Sequence, residues 1–277
     1  MNSYRHLVAA GIVLAAVLGS TGSAFAQRPA QGQGRRESLA FLTRIAGSFE
    51  VRLDEKRVAA REAEPAMRWT NTIGHTTDAA LFFWMYDGRP VAVGTAFETD
   101  RVAVGVEFQS LALGPVAARR EGRTIWEPRE AGIEFRRMDE APRPAETARG
   151  RLSQIKALAR RFSAQAIKSP PAYQENDARE LRLLAKPILR YHDAAQPDSD
   201  GAVFAFAMDT DVDVLLLIEN RVRNEEPGWE FALARTNPFV LKVWCDKTLV
   251  WSEERVSTTA DPAQPYFMAG PFPVRED

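Results

Sequence analysis

Two glutamates carry the sharpest chemistry that this sequence offers. Glu107 and Glu230 stand at matching places, each just before a phenylalanine, Phe108 or Phe231, in an apolar stretch. If the segments that carry them face each other, two carboxylates meet. Close carboxylates split their proton affinities, as acid–base pairs do. The plainer reading puts each glutamate on the exposed face of an alternating strand, or pairs it with Arg68 or Arg190. A second acidic feature is Asp209-Thr210-Asp211-Val212-Asp213, whose alternate carboxylates look like the start of a calcium loop. The glycine and the downstream glutamate of such a loop are missing, which favours a solvated acidic turn. Aromatic residues are the third feature. Trp69, Trp84, Trp126, Trp229, Trp244 and Trp251, with Tyr86 and Tyr191, cluster in or beside apolar runs. Core filling is their commoner role. Trp84, Tyr86 and Trp229 are the candidates for a sugar or lipid pocket.

Other chemistries find little to work with. The chain has 3 histidines, and His6 lies in the amino-terminal segment read below as removable, leaving His75 and His192. A histidine-rich metal site is hard to build from two residues. No His-Glu-x-x-His, Gly-x-Ser-x-Gly, Gly-x-Gly-x-x-Gly or P-loop pattern occurs. No metal site and no cofactor are implied. The single cysteine, Cys245, excludes an intramolecular disulfide and sits in an apolar run as a small buried residue would.

Composition sets the frame for these residues. With 45% hydrophobic and 26% charged residues, the 277-residue chain reads as globular. Its 36 basic and 37 acidic side chains nearly cancel, which argues against a nucleic-acid-binding surface. Residues 1–26 read as a secretory signal. Arg5 is its positive start, Val8 to Leu18 its apolar run, and Ala24-Phe25-Ala26 its small-x-small cleavage site. Residues 27–37 read as a flexible lead rich in Gln, Gly, Pro and Arg. No later stretch is long and apolar enough to span a membrane as a helix, so the mature chain is expected to have no transmembrane segment.

The elements that must position the candidate residues show an internal likeness. Leu39, Leu42, Ile45 and Phe49 have the same spacing as Leu152, Ile155, Leu158 and Phe162, and both series lay one apolar stripe on a helix. Arg68, Asp78, Ala80, Phe82 and Asp87 recur at a constant offset as Arg190, Asp200, Ala202, Phe204 and Asp209. Glu107, Phe108 and Pro115 recur as Glu230, Phe231 and Pro238, and Trp126 as Trp251. Strands are expected from Ala79 to Tyr86 and from Pro90 to Phe97, joined by a turn at Asp87-Gly88. Further strands follow in both halves. The run Val214 to Ile218 lacks alternation, so it is expected to be covered on both faces. The fold class read from these patterns is α+β: two similar units, each a helix followed by an antiparallel β-meander, related by internal duplication. The first unit covers residues 38–140, the second 141–258, and residues 259–277 are a tail.

Several of these segments resemble a known family. They are Leu181-Arg182-Leu183-Leu184-Ala185-Lys186-Pro187, Arg190-Tyr191, Asp200 to Phe206 and Leu215 to Glu219. Arg68-Trp69-Thr70-Asn71, Glu107 to Leu111 and Trp126-Glu127-Pro128 add to them. Together they resemble a family of exported planctomycete proteins of unknown function. The resemblance implies a fold and an exported location and brings no catalytic residues. Where the family tends to carry Gly-Thr-Asp-Pro-Glu, this chain has Asp209 to Asp213.

The function expected is that of an exported, periplasmic or extracellular, non-catalytic binding or interaction protein with an envelope or extracellular ligand. Two alternatives stand beside it: a carboxylate-dependent hydrolase using Glu107 and Glu230, and a carrier with an apolar pocket between the two units.

Overall fold

A computed structural model describes residues 31–71, 76–99, 103–167, 178–194, 196, 199–223, 225–257 and 261–273. The segment read as a secretory signal, the first four residues of the lead, 27–30, His75 and the Ser169-Pro170-Pro171 loop lie outside these residues, while residues 31–37 of the lead fall in the first helix.

Among the described residues, two helices and eighteen strands follow in the order α1 Gln31–Gly47, β1 Phe49–Arg52, β2 Val58–Arg61, β3 Met67–Asn71, β4 Thr76–Tyr86, β5 Arg89–Thr99, β6 Ala103–Ser110, β7 Ala117–Arg120, β8 Arg123–Trp126 and β9 Arg136–Arg137. The second half continues with α2 Ala148–Ala159, β10 Phe162–Ile167, β11 Ala178–Leu183, β12 Leu189–Tyr191, β13 Gly201–Met208, β14 Asp211–Arg223, β15 Glu226–Arg235, β16 Val240–Cys245, β17 Thr248–Glu253 and β18 Tyr266–Pro273. The strands build two curled antiparallel sheets. One runs β18-β6-β5-β4-β2-β1-β7-β8, with β3 against β4. The other runs β17-β16-β10-β11-β13-β14-β15-β9, with β12 against β13.

This corrects the α+β expectation of two duplicated helix-plus-meander units. Strands make up 55% of the chain and helix 11%, so the protein is mostly β. Neither sheet is a meander either. β4 has β2 and β5 as neighbours, and β1 pairs with β7 rather than with the next long strand. The reason is that β1, β2, β10 and β11 are short and interrupt their apolar residues with charged or polar ones, Glu50 and Arg52 in β1, Arg61 in β2, Ser163 and Gln165 in β10, and Arg179, Glu180 and Arg182 in β11. Phe49–Arg52 buries only Phe49 and Val51, and Ala178–Leu183 buries only Leu181. Such strands have a weak hydrophobic signature, whereas the helices beside them carry a clear apolar stripe.

The long strands explain the stacking. Along β4, Ala80, Phe82 and Trp84 point into a core beneath α1, while Ala79, Leu81 and Phe83 point into a second core. Along β13 and β14, Phe204, Phe206, Leu216 and Ile218 face the α2 side, while Val203, Leu215 and Leu217 face that same second core. The two sheets therefore share a central core, with a helix on each outer side. Val212 to Asn220 of β14 are buried on both faces, which is why Val214 to Ile218 shows no alternation.

Turns and charge pairs then lock the layers. Asp87 and Gly88 both take positive φ, 47° and 80°, as a tight hairpin requires. The backbone N–H of Ala194 donates to Asp87 O at 2.9 Å, and a Cβ on Gly88 would lie 2.2 Å from His192 O, so only glycine fits this contact. The recurring charges form ion pairs of the same kind in each sheet. Arg68 pairs with Asp78, which also accepts from Ser38 Oγ of α1 at 2.7 Å. Arg190 pairs with Asp200 at 2.6 Å, and Arg151 of α2 reaches the same carboxylate at 3.0 Å.

Candidate functional site

The cleft that best combines space with chemistry opens at the rim of the central core, between the two sheets. Its cavity is about 310 Å³. Trp69 of β3, Phe97 of β5 and Phe239 form aromatic walls, and Glu107 of β6 faces Asp211 and Asp213 of β14 across it.

The backbone explains how each group arrives there. Glu107 alternates with Val106 and Phe108, which are buried under α1, so its side chain must emerge on the opposite face of β6. Asp211 and Asp213 enter through the β13–β14 hairpin, whose Asp209 turns the chain at φ 54°. That hairpin docks on the first sheet. Thr210 Oγ1 donates to Thr70 O at 2.7 Å, and Asn71 Nδ2 donates to Asp211 at 2.6 Å. Asp213 is buried and accepts from Asn237 Nδ2 at 2.5 Å and from the Met208 N–H at 2.7 Å. The three aspartates of the 209–213 run therefore do not converge as a calcium loop would. Asp213 is turned inward and ties down the loop after β15. Arg235 anchors that loop from below, donating to Asn237 O at 2.9 Å and Phe239 O at 2.5 Å.

Glu107 is the unusual group. Tyr266 of β18 donates its hydroxyl to Oε1 at 2.8 Å. Burial pushes the Glu107 carboxyl up to about 8, against an ordinary 4.5. The Tyr266 hydrogen bond works the other way, and the nearby Asp211 and Asp213 add to the rise. Burial, joined by the Glu107 carboxyl, also raises the Tyr266 hydroxyl well above its ordinary range. At neutral pH the cleft thus presents a neutral carboxylic acid, which can both donate and accept a hydrogen bond.

The other sequence candidates are held elsewhere. Glu230 is completely buried, with Arg223 Nε at 2.6 Å and Arg221 Nε at 3.3 Å. Its neighbours are not those of Glu107, so the two glutamates do not form a pair. Close to it, Glu219 accepts from Tyr191 Oη at 2.7 Å and from Arg89 and Arg221, each at 2.9 Å. Trp84 packs in the α1 core and Trp229 in the α2 core. Tyr86 is half-buried at the edge of the α1 core, with Arg57 over its ring. The Cys245 thiol is half-buried, and burial raises it above its ordinary value. Sequence reading missed Tyr266, Asn237 and Arg235. The first lies in the presumed tail, and none has a local pattern that marks it. A lone glutamate between Val106 and Phe108 was the one legible sign.

Comparison with known proteins finds no matching family model, no matching curated protein and no matching solved structure. No described helix is long and apolar enough to cross a membrane.

Proposed function

We propose that this chain is an exported, non-catalytic binding protein, of the kind its resemblance to exported planctomycete proteins implies, which holds a small hydroxyl-bearing ligand in the inter-sheet cleft. One observation carries the reading: a carboxyl kept neutral opposite Asp211 and Asp213, between the aromatic walls of Trp69, Phe97 and Phe239. Aromatic faces suit the apolar face of a sugar ring, and the carboxyl groups suit its hydroxyls. The envelope or exterior is the expected place of action, and a mature protein whose first residue is Gln27 tests export.

Calorimetric titration of the purified chain with neutral mono- and disaccharides at pH 6 tests the ligand class. Saturable binding that Trp69→Ala weakens about tenfold or more is expected, from the loss of one stacked ring. No heat with any saccharide up to about 10 mM, well above the ~1 mM Kd of a weak site, overturns it.

A carboxylate-dependent hydrolase has one favouring observation, the raised Glu107 carboxyl beside two further carboxyl groups. Its second carboxylate is then Asp211 or Asp213 rather than Glu230, which Arg221 and Arg223 occupy. Saccharide turnover abolished in Glu107→Gln favours this reading, and binding without turnover favours the first. An apolar carrier is less well supported, because Phe83, Leu111, Leu215 and Leu217 fill the space between the sheets.

A further inference from the structure

Glu219 and Glu230 are buried with two arginines each, Arg89 and Arg221 for the first and Arg221 and Arg223 for the second. Glu107 is held differently. Among the described residues no Lys or Arg pairs with it, and its one hydrogen bond comes from Tyr266 Oη, at 2.8 Å on Oε1. Tyr266 keeps its proton, because burial and the Glu107 carboxyl hold its hydroxyl above the ordinary range. Oε1 is therefore the accepting oxygen. Oε2 makes no hydrogen bond among the described residues and is open to the cavity. A buried carboxyl with no cation beside it and two carboxylates nearby keeps its proton, and here the proton belongs on Oε2. This wall of the cleft thus offers a donor that nothing in the described structure receives, a cost that a ligand acceptor removes.

The opposite wall offers the reverse. Asp211 accepts from Asn71 Nδ2 at 2.6 Å and Asp213 from Asn237 Nδ2 at 2.5 Å, and a carboxylate has room to accept more than one bond. Asp213 is buried, and Asp211 is the more open of the two. A group that fits between the walls must accept on one side and donate on the other. A carboxylate or phosphate has no proton to give and is repelled by the aspartates. An ammonium has no lone pair to accept with. A hydroxyl does both, but from a single oxygen. A trans secondary amide does both from opposite edges, because its C=O and N–H point in opposite directions within one plane. Its flat faces and an attached methyl group suit the walls of Trp69 and Phe97. At about 310 Å³ the cavity is at the small end of ligand sites, which suits one ring and its substituent.

We propose, resting on the saccharide-binding reading above, that the ligand is an N-acetylated amino sugar whose acetamido C=O accepts from Glu107 Oε2, whose N–H donates to Asp211, and whose methyl group packs against Trp69 and Phe97. The charged groups that act on Glu107 are Asp211 and Asp213 from β14 and Arg235 from β15, with Tyr266 of β18 as its titratable neighbour. Arg235 is engaged by the carbonyls of Asn237, Phe239 and Glu254. Arg255 is exposed at the rim, over the Phe239 ring at 5.9 Å.

Calorimetric titrations of the purified chain with N-acetylglucosamine, glucose, glucosamine and glucuronic acid, at pH 6 and pH 9, test it. At pH 6 N-acetylglucosamine should bind about tenfold more tightly than glucose, the worth of one or two hydrogen bonds. Its affinity should fall about tenfold at pH 9, where a group titrating at about 8 keeps its proton in only about one molecule in eleven. Glu107→Gln puts an amide N–H in place of the acid proton, so its affinity for N-acetylglucosamine should be the same at both pH values. Glucose binding as tightly as N-acetylglucosamine overturns the proposal and leaves the saccharide reading standing. No binding of any of the four sugars up to about 10 mM overturns both. In the unaltered chain, an N-acetylglucosamine affinity that stays constant from pH 6 to pH 9 also overturns the proposal. Tighter binding of glucuronic acid overturns it in favour of an anion at Arg255, and tighter binding of glucosamine in favour of a cation at the aspartates. N-acetylglycinamide binding as tightly as N-acetylglucosamine overturns it in favour of a peptide.

Discussion

Replacing Glu107 by glutamine isolates the electrostatics of the cleft. The substitution keeps the shape, and the Tyr266 hydroxyl can still donate to the amide oxygen. In the unfolded chain Glu107 titrates near 4.5, and in the folded chain near 8. Between those two values the folded state holds a proton that the unfolded state has released, so stability falls as pH rises. The contribution is fully present below pH 4.5 and is lost through pH 8. One proton changes stability by about 1.4 kcal/mol per pH unit, so the whole displacement corresponds to roughly 5 kcal/mol. Glu107 retains some contact with cleft water, which makes that figure an upper bound; a loss of about 2–4 kcal/mol is the working expectation. Urea unfolding of both proteins from pH 5 to pH 9 reads it out. Their difference cancels the other titrating groups. The two should agree within about 1 kcal/mol at pH 5, where both side chains are neutral and hydrogen-bonded. At pH 9, Glu107→Gln should be the more stable by about 2–4 kcal/mol. Parallel stability curves across this range would refute a neutral carboxyl in the cleft, and with it the main support for the ligand site.

Two further substitutions probe the same framework. Tyr266→Phe removes the hydroxyl that favours the charged form of Glu107, so the pH-dependent loss of stability should shift to higher pH. The protein should also lose about 1–2 kcal/mol at pH 6, measured in the same urea series. Arg89→Met leaves the buried Glu219 with Tyr191 and Arg221 only, and should cost about 3 kcal/mol at neutral pH. Restoring that loss by adding Glu219→Gln would place it in the uncompensated charge; no restoration would place it in lost packing against Phe135, over which Arg89 stacks at 5.6 Å.

Legibility divided along the range of the interactions involved. The Asp87-Gly88 hairpin was plain, because its positive φ values and flanking apolar runs are properties of neighbouring residues. The coverage of Val214 to Ile218 on both faces was equally plain, since an unbroken apolar run has no face to give to water. The short charged strands were not legible, and neither was their order. β1 pairs with β7 through Phe49 and Arg120, residues that no local pattern joins. The carboxylates show the same division. Glu107 stood out between apolar residues, yet its matched partner Glu230 is bound to two arginines and lies outside the cleft. The identical local setting concealed opposite environments, one formed by Tyr266 and the β14 aspartates and the other by Arg221 and Arg223.

By itself, then, the amino-acid order determined where helices and the longer strands form, which turns are tight, and which side chains turn away from water. Those properties follow from backbone sterics and periodicity over about ten residues. Only the tertiary structure decided which strands become neighbours, and that Glu107 rather than Glu230 faces open space. Its proton affinity depends on Tyr266, 159 positions away in the chain, and on aspartates of the opposite sheet. Burial and electrostatic fields act through distance in space, and no local stretch of sequence contains that distance.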